Sequence, residues 1–401
     1  MLLECYHELD GNKATGIDDV TKEMYGVNLE SNLKDLVCSL KNRSYKPLPI
    51  LRVYIPKANG KLRPLGIASY EDKIVQLALK KILEAIYEPR FLNCMYGFRP
   101  NRSCHDAVRY ARNQIQDKRI NYVVDADIKG FFDHVNHEWM MRFLELYIKD
   151  TNLLWLIKKY LTAGVIDKNV FKRTEEGTVQ GNIISPILAN IYMHNVLTLW
   201  YKFMIMKNCK GDNFIVAYAD NFIAGFQYEN EAKEYYHQLK ERMEKFGLEL
   251  ESNKSSLIPF SKWGYINARK TGTKKPATFN FLGFTFYSSS TRNGSACVKL
   301  KTDNKKFHQK IKNIKTWIGY NRHIPVADLI KLLNRKLKGH YNYYGVSFNS
   351  IMLKKYFYVV RKLLFKYLNK RSQKKSYTWE GFLELMRYCP LEEPHITVKL
   401  F

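Results

Sequence analysis

Two aspartates stand where carboxylates could do metal chemistry. Asp127 closes the apolar run Tyr122-Val-Val-Asp-Ala-Asp-Ile128 and is followed by Lys-Gly-Phe-Phe-Asp133. Asp220 sits between two more apolar runs, within Phe214-Ile-Val-Ala-Tyr-Ala-Asp-Asn-Phe-Ile-Ala-Gly-Phe226, a pattern that reads as two short strands around a tight turn. If the three strands are neighbours, both carboxylates meet at one end of a sheet. Paired carboxylates suit Mg²⁺, which takes hard oxygen ligands and keeps positions open for phosphates. Two such ions clamp the attacking and leaving oxygens of an in-line displacement. Phosphoryl transfer needs little beyond that positioning and charge neutralisation. Either aspartate alone says little, because Asp is common in turns.

The elements that must position them follow from periodicity. Residues 122–128 read as a buried strand, 137–148 as a helix, 214–226 as the two strands, 229–246 as a helix and 279–287 as a further hairpin. That order, β-α-β-β-α-β across 121–287, is a split βαβ sheet. Residues 185–199 read as another helix, with Pro186 at a tolerated early position. Upstream, residues 51–56 alternate like a strand, Ala58-Asn-Gly-Lys61 is a turn signal, and 62–67 return antiparallel before a helix at about 70–87. Ser288-Ser-Ser-Thr-Arg-Asn-Gly294 reads as a linker or turn. Beyond it the apolar spacing predicts amphipathic helices at 305–320, 326–344 and 350–368.

Charge names the class of partner. The 401 residues carry 65 Lys and Arg against 38 Asp and Glu, a formal charge of +27. Such a surplus repels itself unless a polyanion is the working partner. Residues 301–401 alone hold 22 basic and 6 acidic residues, and Lys305, Lys306, Lys310, Lys312 and Lys315 could line a phosphate backbone; the plainer reading is a solvated helix face. No run approaches the roughly 20 apolar residues that span a bilayer, and the acidic start is not a signal peptide, so no membrane partner is expected. Seven cysteines without CxxC spacing or Cys/His clusters point away from zinc and disulfides, toward a reducing, intracellular compartment.

Several segments carry a family resemblance. Tyr218-Ala-Asp-Asn221 resembles the YxDD box of reverse transcriptases, and Val124-Asp-Ala-Asp-Ile-Lys-Gly-Phe-Phe-Asp133 is similar to their first aspartate motif. Gly177-Thr-Val-Gln-Gly-Asn-Ile-Ile-Ser-Pro-Ile-Leu-Ala-Asn190 resembles the GTPQGG…SPLLAN segment of group II intron-encoded proteins. Residues 55–67 and Tyr96-Gly-Phe-Arg-Pro-Asn-Arg-Ser103 resemble their fingers motifs, Phe281-Leu-Gly-Phe284 their primer grip, and residues 333–344 and 371–376 their thumb, or maturase domain, and its exit. The resemblance runs in order from about Lys13 to Phe401.

It implies an α+β right-hand polymerase with a ferredoxin-like palm and a three-helix thumb: fingers 1–110, palm 111–288, thumb or maturase domain 300–370, and a basic C-terminal tail 371–401. The implied activity is RNA-directed DNA synthesis from dNTPs on an RNA template and DNA primer, with intron RNA binding that assists splicing, in a bacterial cytoplasm. Asp127 and Asp220 would hold Mg²⁺ or Mn²⁺, with the Ile128 carbonyl as a further ligand and Asn221 beside them; Asp125 is the competing carboxylate and reads as structural. Lys57, Lys61 and Arg63 would meet the triphosphate, and Gln180 and Gly181 would lie along nucleotide and template. Phe132 would be the steric gate against a 2′-hydroxyl, or else a core aromatic. Lys254 would protonate pyrophosphate, or else is a solvated lysine. Arg99, Asn101, Arg335 and Lys338 join the thumb lysines as candidate nucleic-acid contacts.

The chain also departs from the family. Asn221 replaces the second aspartate of the box, Val179 replaces the usual proline, and Asn182 replaces a glycine. Few helices precede Lys13, and no Cys/His-rich nuclease domain follows, so cutting of a second DNA strand is not expected. A catalytically lapsed RNA-binding maturase and a host-recruited reverse transcriptase, for example in phage defence, stay open as alternatives. Tyr377, Trp379 and Phe382 near the C-terminus are expected to dock on the body rather than stack on bases.

Overall fold

A computed structural model describes the whole chain except residues 57–59, 61, 252–254, 273–275, 372–375 and 401. Two compact units emerge: Met1–Ala107 with Val123–Leu257, and Val108–Tyr122 with Ile258–Phe401.

In the first unit, strand Asn213–Tyr218 turns through Ala219 and Asp220 into Asn221–Phe226, with Tyr218 opposite Asn221. Tyr122–Asp127 lies on the other side of Asn221–Phe226, and Ser256–Pro259 lies outside it. Taken in chain order this is the 2-3-1-4 arrangement of a split βαβ sheet. The expected fourth strand was the 279–287 hairpin. The sheet uses Ser256–Pro259 instead, a segment with too few apolar positions to show periodicity. Val123, Val124, Val216, Phe222, Ile223 and Phe226 are all at most 1% exposed. The sheet is therefore covered on both faces, which explains near-continuous apolar runs rather than alternation. Helix Ser185–Met193 continues through π-helical turns at His194–Thr198 and Tyr201–Ile205, and brings Tyr192, whose buried hydroxyl donates to the Phe246 carbonyl at 2.6 Å. Each buried aromatic of this kind contributes about 2–3 kcal/mol.

The same unit holds the basic hairpin. Ile50–Pro56 pairs antiparallel with Leu62–Ile67, with Pro56 opposite Leu62. Two strands that periodicity did not reveal complete its sheet. Val165–Asp167 joins Ile50 and Leu51 in parallel, and Val170–Lys172 pairs outside it. Three residues are too few for an alternation to be read. Helix Tyr70–Tyr87 starts at Ser69, whose hydroxyl accepts from the Asp72 amide. Burial pushes the Asp72 carboxyl up from the usual range. It accepts from the hydroxyls of Tyr45, Ser69 and Tyr160 and from the Leu48 amide, a fully satisfied hub of the kind a buried carboxylate requires.

The second unit contains a three-stranded sheet, Phe279–Phe281, Phe284–Ser290 and Ala296–Thr302, with Ser290 opposite Ala296. The 288–294 segment is thus the end of one strand and a hairpin turn, not a linker. Helices Asn304–Asn321, Val326–Tyr344 and Ser350–Leu368 follow, within a residue of the spans that apolar spacing gives. The chain end folds back. Helix Trp379–Tyr388 buries Phe382 fully, and the Trp379 and Phe382 rings lie 5.0 and 5.3 Å from the Phe365 ring, so these aromatics dock as expected. Tyr377 is tied to Asn369 through its backbone amide and carbonyl. Val398 bridges Val346, so the described residues near the chain end pack back on the 344–349 segment. Among the described residues no helix is long and apolar enough to cross a membrane.

Candidate active site

The two aspartates meet at one end of the palm-like sheet. Asp127 is the last residue of its strand, and Asp220 is the second residue of the hairpin turn beside it. Neighbouring contacts tie the two ends together. Gly97 lies so close to the hairpin that a Cβ there would strike the Ala219 amide nitrogen. The next residue, Phe98, places its ring 6.5 Å from that of Phe132, five positions beyond Asp127. Ala219 takes a left-handed φ of 55°, unusual for a residue with a Cβ, and so sets the direction in which Asp220 leaves the turn. Asp125, on the same face of its strand, sits one pleat back from the edge.

Two partly exposed carboxylates on fixed strand ends fit a divalent cation that completes its shell with phosphate oxygens. The Ile128 carbonyl can join them. The bridge between Ile128 and Leu250 runs through the Asp127 carbonyl and the Lys129 amide, at 2.8 and 2.9 Å, and uses no carbonyl from Ile128. Asn221 is exposed, and its Nδ2 donates to Asp220 Oδ1 at 3.3 Å. A carboxylate at 221 would repel Asp220; the amide donates to it instead and lowers the negative charge of the pair.

The Gly177–Gly181 segment is a backbone clasp between this end of the sheet and the basic hairpin. The Thr178 amide donates to the Phe132 carbonyl at 2.7 Å and the Gly177 amide to the Val135 carbonyl at 2.8 Å. On the other side the Gly66 amide donates to the Gln180 carbonyl at 2.7 Å, on the strand that carries Arg63. Gly177 and Gly181 adopt φ of +85° and +109°, and a Cβ at Gly177 would lie 2.8 Å from the Asp133 carbonyl oxygen. The clasp thus links the backbone at Phe132 to the strand that carries exposed Arg63. Val179 packs against Gly66 and Ile50. Asn182 is buried, and its Oδ1 has no hydrogen-bond partner among the described residues. Phe132 itself is half-buried, while the core aromatic is its neighbour Phe131, 2% exposed and 5.4 Å away. Lys57, Lys61 and Lys254 lie outside the described residues.

The nucleic-acid contacts divide. Arg99 is withdrawn from that role: its side chain is 3% exposed, clamped by Glu88 at 2.7 Å, and its guanidinium donates to the Leu92 and Met95 carbonyls. A buried arginine with these partners anchors a loop and has no donors to offer a phosphate. Asn101 is exposed, with φ 57°. Lys305, Lys306, Lys310, Lys312 and Lys315 are all exposed, but they do not form one stripe. Phe307, Ile314 and Ile318 define the buried side of their helix; helical spacing sets Lys306 and Lys310 on one flank, with Lys305, Lys312 and Lys315 across the other. In the next helix Lys331, Arg335 and Lys338 line a groove of about 450 Å³ with Pro390 and Glu392. Lys338 is 3.4 Å from the Glu392 carboxylate, which leaves exposed Arg335 the better placed of the two predicted cations.

Phe98 is a site residue that the sequence did not single out. It lies inside the Tyr96–Ser103 motif, yet nothing in residue type signals a left-handed, exposed phenylalanine at the Phe132 ring.

Comparisons with known proteins match the chain to two families. Residues 55–286 match the family described as Reverse transcriptase (RNA-dependent DNA polymerase), and residues 304–383 match the Group II intron, maturase-specific domain. Among curated proteins, the chain is similar to the Group II intron-encoded protein LtrA of Lactococcus lactis subsp. cremoris, 40% identical over 203 residues that cover 49% of this chain and 34% of that protein. It is also similar to Protein YkfC of Escherichia coli (strain K12), 41% identical over 187 residues, 46% of this chain and 49% of that one. An Uncharacterized 91 kDa protein in cob intron of Schizosaccharomyces pombe is 39% identical over 199 residues, 49% of this chain and 24% of that one. The matched stretches thus span between a quarter and a half of these relatives' own lengths.

Proposed function

We propose that this chain, which belongs to the reverse transcriptase family in its group II intron-encoded form, is a working RNA-directed DNA polymerase that also binds intron RNA to assist splicing. The fold is that of a right-hand polymerase, and on this reading residues 1–110 are fingers, 111–288 palm, 300–370 thumb and 371–401 a C-terminal segment. The observation that carries the proposal is the convergence of Asp127 and Asp220 on one sheet end, with the Gly177–Gly181 clasp joining them to the strand of Arg63.

Asp127, Asp220 and the Ile128 carbonyl would hold Mg²⁺, or Mn²⁺ in its place. The bound ion would supply charge neutralisation at the phosphates and activation of the primer 3′-oxygen. The chain's own residues do the rest. Arg63 meets the triphosphate with a fork of donors that matches phosphate oxygens. Gln180 and Gly181 lie along nucleotide and template on this reading. The Gly66 amide holds the Gln180 carbonyl, and a Cβ at Gly181 would come within 2.7 Å of the Gly66 carbonyl oxygen, so glycine lets the clasp sit close on the Arg63 strand. The half-buried Phe132 ring closes the space a 2′-hydroxyl would need. RNA binding rests on the exposed cations of the 304–344 helices, reading phosphates and shape rather than base edges. Intron RNA, template, DNA primer and dNTPs are the partners on this reading.

A second reading has one observation in its favour. Asn221 removes a negative charge beside Asp220, so a chain that binds RNA without polymerising is the runner-up. Primer extension on an RNA template with dNTPs, in Mg²⁺ and in Mn²⁺, separates the two. Extension by the native chain that disappears in Asp220→Ala supports the polymerase. Extension only after Asn221→Asp means an intact site switched off by one residue, and the RNA-binding reading then takes its place.

A further inference from the structure

Phe98 has the wrong conformation and the wrong surroundings for a phenylalanine kept for stability. Its φ is 56°, a region that bulky L-residues enter only under constraint, and it is 48% exposed. The constraint is visible on both sides. The Tyr96 amide donates to the Ala217 carbonyl at 2.9 Å, the Ala217 amide to the Cys94 carbonyl at 2.8 Å, and buried Asn190 donates from Nδ2 to the Gly97 carbonyl at 2.8 Å. Just after Phe98, Arg99 locks the loop to Glu88, Leu92 and Met95. Backbone strain that its surroundings over-determine collects where a function needs that conformation.

What the conformation achieves is one contact. The Phe98 ring stands at 74° to that of Phe132 with centroids 6.5 Å apart, an edge-to-face pair. Phe132 is thus held between an interior ring, Phe131, and a surface ring, Phe98. We propose that Phe98 is a positioning residue for sugar selection: it fixes the Phe132 ring in the orientation that rejects a 2′-hydroxyl. This rests on the polymerase reading and on Phe132 as its gate.

The test uses Phe98→Asn, because asparagine tolerates the left-handed region and removes the ring without disturbing the loop. Phe98→Tyr keeps the ring. Primer extension by the full chain on an RNA template yields kcat/KM for dNTP and for the matching rNTP. The ratio is expected to fall about tenfold in Phe98→Asn, through a gain in rNTP use, and to be retained in Phe98→Tyr. Added to Phe132→Ala, Phe98→Asn should lower the ratio no further, since it acts through that ring. The thermal midpoint of Phe98→Asn should equal or exceed that of the native chain.

An unchanged ratio in Phe98→Asn overturns the proposal. So does an equal fall in dNTP and rNTP use, which is what a purely structural residue would give. If Phe132→Ala shifts the ratio and Phe98→Asn does not, the gate stands and only its support by Phe98 is wrong. If the native chain does not extend a primer at all, the polymerase reading fails and takes this inference with it.

Discussion

The sheet end that carries Asp127 and Asp220 and the helices that follow Asp303 are built by opposite rules. At the sheet end, the proposed chemistry depends on a few groups held by unusual backbone: Ala219, Phe98, Gly177 and Gly181 all have positive φ. In the helices the backbone is regular, and the useful property is charge spread over exposed lysines. The first arrangement should break all at once. The second should weaken by degrees.

The largest expected effect is therefore at the sheet end. On the polymerase reading, Asp127→Ala should lower primer extension by about a thousandfold or more, because the divalent ion that would neutralise the transferred phosphate would lose a ligand. RNA binding, measured separately by filter retention, should change little. Loss of both in parallel would mean that the carboxylate supports the fold rather than the chemistry. Next comes Gly177→Ala. Its Cβ would press on the Asp133 and Phe132 carbonyls at 2.8 and 2.9 Å, with φ fixed at +85°. A destabilisation of about 2 kcal/mol or more is expected in denaturant titration, with extension reduced alongside. Native stability in this variant would show that the clasp can reshape.

The helices offer a graded counterpart. Because the lysines lie on two flanks, Lys305, Lys312 and Lys315 changed together to Gln should not equal Lys306 and Lys310 changed together. Neutralising whichever flank faces nucleic acid should lower the slope of log affinity against log salt. The drop should be nearly one for each phosphate left without its lysine, up to about 2–3. Equal, small effects from both sets would return all five to a solvated helix face.

The same contrast decides what could be read from sequence. The helices were legible almost to the residue, because burying one stripe imposes a repeat that local composition cannot hide: Leu329, Leu333, Leu337, Tyr341 and Tyr344 mark it in the 326–344 helix. The aspartates were legible as residues and as strand ends. The conformations that make them a site were not. Nothing in the letters distinguishes Phe131, which is core, from Phe132, which is not, or shows that Arg99 spends its charge on Glu88. The 165–172 strands and Ser256–Pro259 were missed for a simpler reason. They are three or four residues long, and long-range pairing, not local pattern, makes them strands.

The smallest prediction concerns His340, where helix regularity meets a buried titratable ring. His340 is 6% exposed and stacks on Tyr356 with centroids 3.7 Å apart, and its Nδ1 is buried without a hydrogen-bond partner. Burial, with a smaller push from Lys310, lowers its pKa to about 3 from 6.5. With the folded value depressed, the ring is neutral in both states above about pH 6.5, and stability there is intact. As pH falls below 6.5 the unfolded chain takes up the proton first, so stability drains away toward pH 3. Linkage over that gap amounts to a loss of about 2 kcal/mol between pH 7 and pH 5. His194, lowered to about 4 in the first unit, works in the same direction. His340→Phe keeps the stack on Tyr356 and removes the titration, so its melting temperature should fall less steeply over that range than the native chain's. Parallel curves for the two proteins would assign the acid sensitivity to other groups and leave the His340 ring a packing element alone.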